Sequence, residues 1–229
     1  MIKPFFRIKR PLGVLGIVGL LGLLYSLGLG PAMAIEEPAF KTWVQEGAME
    51  VRLYEPRLSA VTYLTGDMDQ ASNQGFRRIA DFIFRNNTPA HPSGESLSTG
   101  PEKIAMTAPV IVQPQSIPKT PNTDSEYKSA GKWAVEFVMP KAYTQDNLPR
   151  PNNPEVEIKP IPAKTYAVLT YSGFNTEQRV QREIDALTAW IQTKGWQSIG
   201  PPQLARYDPP WTLPFWRRNE IWIELKPLP

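Results

Sequence analysis

The segment YDPPWTLPFWRRNEIW, Tyr207 to Trp222, sets three large rings, Trp211, Phe215 and Trp216, among Pro209, Pro210 and Pro214, then adds Arg217 and Arg218. Large rings are costly to leave in water, so a proline-stiffened loop carrying three of them must cover something. Two adjacent guanidinium groups can grip carboxylates. A flat apolar ligand with acidic tails suits that chemistry, and a loop that simply caps the core suits the same composition. Carboxylates inside apolar runs are the other candidates. Glu136 in WAVEFVMP and Glu224 in EIWIELKP are solvent-facing strand residues, or, if held in a pocket, a cation site or a general base. His91 is the chain's single histidine and there is no cysteine, which leaves no Cys/His metal set, no thiol nucleophile and no second imidazole for a relay. No glycine-rich phosphate loop opens a helix.

These residues need elements to position them, and the chain repeats itself in supplying them. Val51 to Gly66, VRLYEPRLSAVTYLTG, and Val156 to Gly173, VEIKPIPAKTYAVLTYSG, each read as an extended segment, a Pro-containing turn, a second extended segment and a Gly. A helical stretch follows each. Two further strands follow each helix: KIAMTAPVIV and WAVEFVMP in the first half, QLARYDPPW and EIWIELKP in the second. In RLSAVTYLT, Leu58, Ala60, Thr62 and Leu64 face one way and Val61 and Tyr63 the other. Trp133, Val135 and Phe137 share a face opposite Glu136. Pro109 and Pro140 mark strand ends, edges or bulges, because proline cannot donate to a ladder.

The second helix is capped by Asn175 or Thr176, carries Val180, Ile184, Leu187 and Ile191 as one narrow stripe, and ends at Gly195. The first, about Gln70 to Asn86, spreads Phe76, Ile79, Ala80, Phe82, Ile83 and Phe84 over roughly half its circumference. A sheet covers one stripe. The surplus surface needs a second partner, either more protein or a ligand.

Residues 1–34 have the layout of an export signal: a basic start, MIKPFFRIKR, the 19-residue apolar run LGVLGIVGLLGLLYSLGLG, and PAMA before a cut expected after Ala34. Left uncut, residues 12–30 would anchor the chain in a membrane. The formal charge of +3 sits largely in this segment; without its four basic residues 21 basic face 22 acidic side chains. No basic stripe remains for nucleic acid. Residues 35–229 are then one domain by length.

Several of these motifs occur together in one family. YEPR, GFRRIADFIF, KIAMTAPV, LPRPNNPEVEI and YDPPWTLPFWRRNEIWIEL, spread from Met49 to Leu225, resemble the SOUL heme-binding family. The resemblance implies an α+β fold: a distorted β-barrel of two pseudo-repeated ββαββ halves flanked by two helices. It also implies a heme or related tetrapyrrole as ligand, in a hydrophobic surface pocket between the first helix and the loop before the last strand. On this chain that assigns Phe76, Ile79, Ala80, Ile83, Trp211, Phe215, Arg217 and Arg218 to the ligand. Asn73 stands where relatives carry a basic residue early in that helix, which leaves propionate gripping to Arg217 and Arg218. No histidine aligns as an axial ligand, so binding without histidine ligation is expected, with Met68 or Met106 as thioether candidates. The expected role is an exported, non-enzymatic tetrapyrrole carrier or buffer in a periplasm, a thylakoid-type lumen or the exterior. A hydrolase-like enzyme using Glu136 or Glu224, and a protein- or membrane-docking module using the aromatic loop, are the rival readings.

Overall fold

The computed structural model describes residues 35–90, 100–115 and 131–227; His91 and the expected export signal lie outside them. Alternation in RLSAVTYLT builds β3 (Arg57–Thr65), which puts Ala60 and Leu64 into the main core and turns Ser59 and Val61 to the opposite face. The same rule governs β6 (Lys132–Val138), with Trp133, Val135 and Phe137 in the core and Glu136 opposite, as the sequence predicts.

The remaining strands are β1 (Phe40–Glu46), β2 (Met49–Tyr54), β4 (Asn87–Thr88), β5 (Val110–Pro114), β7 (Arg150–Pro151), β8 (Glu157–Ile161), β9 (Lys164–Tyr171), β10 (Ser198–Arg206) and β11 (Asn219–Leu225). Nine of the eleven strands form one curled half-barrel sheet in the order β1-β2-β9-β11-β10-β5-β6-β3-β8, antiparallel throughout, while β4 and β7 pair separately. Without β1 the order is a palindrome under exchange of the two repeats: β2 answers β8, β3 answers β9, β5 answers β10 and β6 answers β11. The halves therefore swap first strands, β2 onto β9 and β8 onto β3, and join in the middle through β5 and β10.

Both helices cover the same face. Helix α1 (Met68–Ile83) is capped by the Asp67 carboxylate, which accepts the Gln70 N–H at 2.8 Å. It lies on β3, β5 and β6. Its closest approach is at Gly75, where a Cβ would stand 2.5 Å from Val135 Cγ2 and 2.9 Å from Leu64 Cδ1. Helix α2 (Glu177–Thr193), capped by Thr176, buries only Val180, Ile184, Leu187 and Ile191, the expected stripe, against β9, β10 and β11. Gly195, at φ +69°, turns the chain out of it.

Three elements differ from the sequence reading. KIAMTAPV is not a strand: the ladder begins at Val110, after a cis Ala108–Pro109 bond, and Ile104 and Ala108 are tied instead by single bonds to the carbonyls of Ile83 and Glu36. A proline that cannot donate, placed beside a second line of partners, keeps those seven residues out of the sheet. β10 starts earlier, at Ser198, and ends at Arg206, so YDPPW belongs wholly to the loop. β1, not anticipated, adds an edge strand to β2.

Candidate functional site

The loop between β10 and β11 is a braced platform. Its base closes through the Tyr207 N–H donating to the Arg218 carbonyl at 3.3 Å and the Arg218 N–H to the Asp208 carboxylate at 2.6 Å. Arg217 reaches back along the loop, donating from Nε to the Thr212 carbonyl at 2.7 Å and from Nη2 to the Pro210 carbonyl. A 3-10 turn over Pro214–Trp216 follows, and its carbonyls and amides are tied locally. The brace holds the rings outward: Trp211 is 82% exposed, Trp216 70% and Phe215 64%. Phe215 and Trp216 meet edge-on with centroids 5.0 Å apart. Leu213 and Phe174 extend the exposed apolar surface, and the Arg217 guanidinium lies 5.3 Å from the Phe174 ring. Four exposed apolar side chains on a stiff loop, with Phe174 beside them from the segment after β9, are an unusual surface for a protein that keeps to itself.

Of the helix residues assigned by resemblance, Ile79, Ala80 and Ile83 are buried under the sheet face, and Phe76 alone presents its ring at the surface, resting on Phe137 at 5.4 Å. The surplus apolar arc is thus largely taken up by the protein. Gly75 lets the helix sink so far that residues around it are covered too. Phe76 is nonetheless close to the loop's root. Phe137, on which it rests, pairs with Val110, and Val110 pairs with Arg206, the last residue of β10, so two strand spacings, about 10 Å, separate the backbones of Phe137 and Arg206. Arg206 spans part of that interval, donating to Ser72 Oγ at 3.1 Å and approaching Asp69 at 3.5 Å on the α1 face that carries Phe76. Arg206 went unnoticed in the sequence; its place at a strand end, one residue before the aromatic loop, was the available signal.

The two arginines chosen for carboxylates are engaged within the protein. Arg217 braces the loop as described, and Arg218 pairs with Glu37 at 2.6 Å over the Tyr207 ring, 3.5 Å from its centroid. Asn73 is exposed, Met68 is fully buried in the core, and Met106 is 39% exposed. Two surface cavities, one around Arg57 and Met139 and one around Tyr63 and Lys132, are lined by none of the eight assigned residues.

The sheet face away from the helices holds the other charged groups. Glu220, 1% exposed, accepts from Arg52 Nη1 (3.0 Å), Tyr207 Oη (2.7 Å) and Trp222 Nε1 (2.7 Å), so its carboxylate is saturated. Tyr54, Tyr166 and Trp222 stack around it with centroids 4.6 to 5.7 Å apart. Burial, reinforced by the Glu220 charge, pushes the Tyr54 and Tyr207 hydroxyls well above the ordinary tyrosine range. The two strand carboxylates named as possible bases are both partnered: Glu136 accepts from Ser59 Oγ at 2.7 Å and Arg57 at 3.4 Å, and Glu224 from Lys164 at 2.7 Å.

Comparison with known proteins agrees with this architecture. Heme-binding protein 2 of Homo sapiens is 27% identical over 202 residues, covering 84% of this chain and 87% of that protein; its Mus musculus counterpart is 26% identical, covering 83% and 86%. Among solved structures, the EcmrR C-terminal domain superposes with a TM-score of 0.54 at 12% identity, covering 82% of this chain and 99% of that one. A hydrolase from Listeria innocua gives 0.51 at 10% identity over 80% and 94%. At such identities these structures share the fold alone. Residues 35–224 match the family described as SOUL heme-binding protein, and the chain belongs to that family.

Proposed function

We propose that the protein is an exported carrier or buffer of heme or a related tetrapyrrole, and that the macrocycle lies on the braced loop, against Trp211, Phe215 and Trp216, with Phe76 as the nearest helix ring. The observation that carries this reading is the outward display of the three loop rings. At about 25 cal/mol per Å² of apolar area, a macrocycle face laid on them supports roughly micromolar binding after the costs of association. Arg217 acts in this reading as the brace that keeps the platform stiff, and Arg218 fixes its base. Export would follow from the N-terminal pattern, giving a mature chain from Ile35.

The relatives named heme-binding protein support the ligand class. No imidazole lies among the described residues, and in this reading the affinity comes from ring contact and not from an axial bond. What the group would bring when bound is its iron centre; what the chain provides is the apolar bed. Titrations of the mature protein with hemin and with metal-free protoporphyrin, followed by tryptophan quenching, test this. Affinities within about threefold of each other are expected where no axial ligand distinguishes them. A tenfold or greater preference for hemin overturns the non-ligating mode, and absence of saturable quenching with either overturns the binding reading. Trp211→Ala with Trp216→Ala should weaken both ligands about tenfold or more, as loss of two aromatic anchors does.

A further inference from the structure

We propose that a second small-molecule site, separate from the aromatic loop, lies where the first hairpins of the two repeats meet, and that it takes an amphipathic monocarboxylate with its carboxylate on Arg57. The cavity there has a volume of about 610 Å³. It is walled by the β2–β3 turn (Glu55, Pro56), the end of β8 with the first residue of the turn after it (Pro160–Pro162), the segment after β6 and the strand-free residues before β1. Leu58, Met139, Tyr143 and Ile161 give it an apolar lining.

Arg57 lines this cavity with a side chain only 6% exposed. Its one acceptor is Glu136, at a long 3.4 Å, and that carboxylate is held more closely by Ser59 at 2.7 Å. The Nε and Nη1 atoms of Arg57 are buried and have no partner. A buried guanidinium with unmade hydrogen bonds is costly, and a carboxylate is the acceptor whose geometry matches its planar donors. The equivalent residue of the second repeat, Lys164, has no such deficit, because Glu224 accepts from it at 2.7 Å. Of these two equivalent residues, the one with the deficit is the one that lines the cavity.

The rim sets the ligand's charge. Glu36, Glu37 and Glu55 line it together with one exposed cation, Lys141; Glu37 is neutralised by Arg218, and Glu36 accepts the Lys141 backbone N–H at 2.6 Å. A mouth with carboxylates repels polyanions, so a single acid group with an apolar tail is selected over phosphorylated or multiply charged molecules.

Decanoate is the probe, titrated calorimetrically into the full chain, with the isosteric neutral decanamide as control and the Met139 methyl resonance as a local reporter. Saturable heat, a shift of the Met139 methyl with the core Met68 methyl unmoved, and about tenfold or weaker binding of decanamide are expected, since a charge-assisted bond to Arg57 is lost. Arg57→Gln should weaken decanoate by a similar factor while leaving hemin binding unchanged. If Arg57→Gln does not fold, Ile161→Trp, which fills the tail path, should abolish the Met139 shift. No heat and no Met139 shift at millimolar decanoate, or equal binding of decanamide, overturns the proposal. Displacement of decanoate by hemin overturns the claim that the sites are separate, and the Trp211→Ala, Trp216→Ala protein should take up decanoate as the parent does whether or not it has lost hemin.

Discussion

Glu220 decides more than any other single side chain on the face away from the helices. Its two oxygens answer Arg52, Tyr207, Trp222 and, at 3.3 Å, Thr170, which ties β2, β9, β11 and the root of the aromatic loop to one carboxylate. Replacing it by glutamine leaves Arg52 buried with one anionic partner, Glu50, and takes an acceptor from two hydrogen-bond donors. Glu220→Gln should lower the unfolding free energy by about 3 kcal/mol, the usual cost of breaking a buried pair, as read from urea denaturation. The exposed rings behave oppositely. Trp211→Ala should leave the same denaturation curve within about 0.5 kcal/mol, because an 82% exposed side chain contributes little to the core. A large loss there would mean that the platform serves the fold and not a ligand.

Among the elements, α1 is the one whose packing depends on a missing side chain. Gly75 within a helix costs about 1 kcal/mol against alanine, yet the added Cβ would meet Val135 Cβ at 2.6 Å, and a strand Cβ cannot rotate away. Overpacking costs about 1–3 kcal/mol, so Gly75→Ala should be destabilising in net, and Gly75→Ala combined with Val135→Ala should lose less than the sum of the two single changes. Additive losses in that double-mutant cycle would show that the contact is not what fixes the helix. The loop between β10 and β11 is stiff for a different reason, its own carbonyls being held by Arg217. Arg217→Ala should therefore weaken porphyrin quenching with almost no change in unfolding free energy, since it loosens a surface element only.

For the whole molecule, the aromatic interior makes stability sensitive to alkali. Burial raises the hydroxyls of Tyr54, Tyr166, Tyr171 and Tyr207 above their unfolded value near 10. Below that pH both states keep the protons and the contribution is complete. Above it the unfolded chain ionises first and binds fewer protons, so stability falls as pH rises toward the folded values. The thermal midpoint should be nearly flat from pH 8 to about pH 9.5 and drop steeply beyond, with ionisation of these four tyrosines, followed at 295 nm, appearing only together with unfolding. Free titration of all eight tyrosines in the folded protein would contradict the buried placement.

Local spacing alone determined the two helices, the strand faces of Arg57–Thr65 and Lys132–Val138 and the internal repeat, because each rests on periods of 2 or 3.6 residues, and contiguous motifs carried the resemblance to the family. The aromatic loop was legible for the same reason, as a run of rings between prolines. The palindromic strand exchange, the depth to which Gly75 lets α1 sink, the engagement of Arg217 and Arg218 within the protein, and the unpartnered donors of Arg57 beside a cavity were decided only in three dimensions. Each of those depends on which groups from distant parts of the chain arrive at the same place, and on whether a buried charge finds its acceptor there, and neither is written in the spacing of neighbours along the sequence.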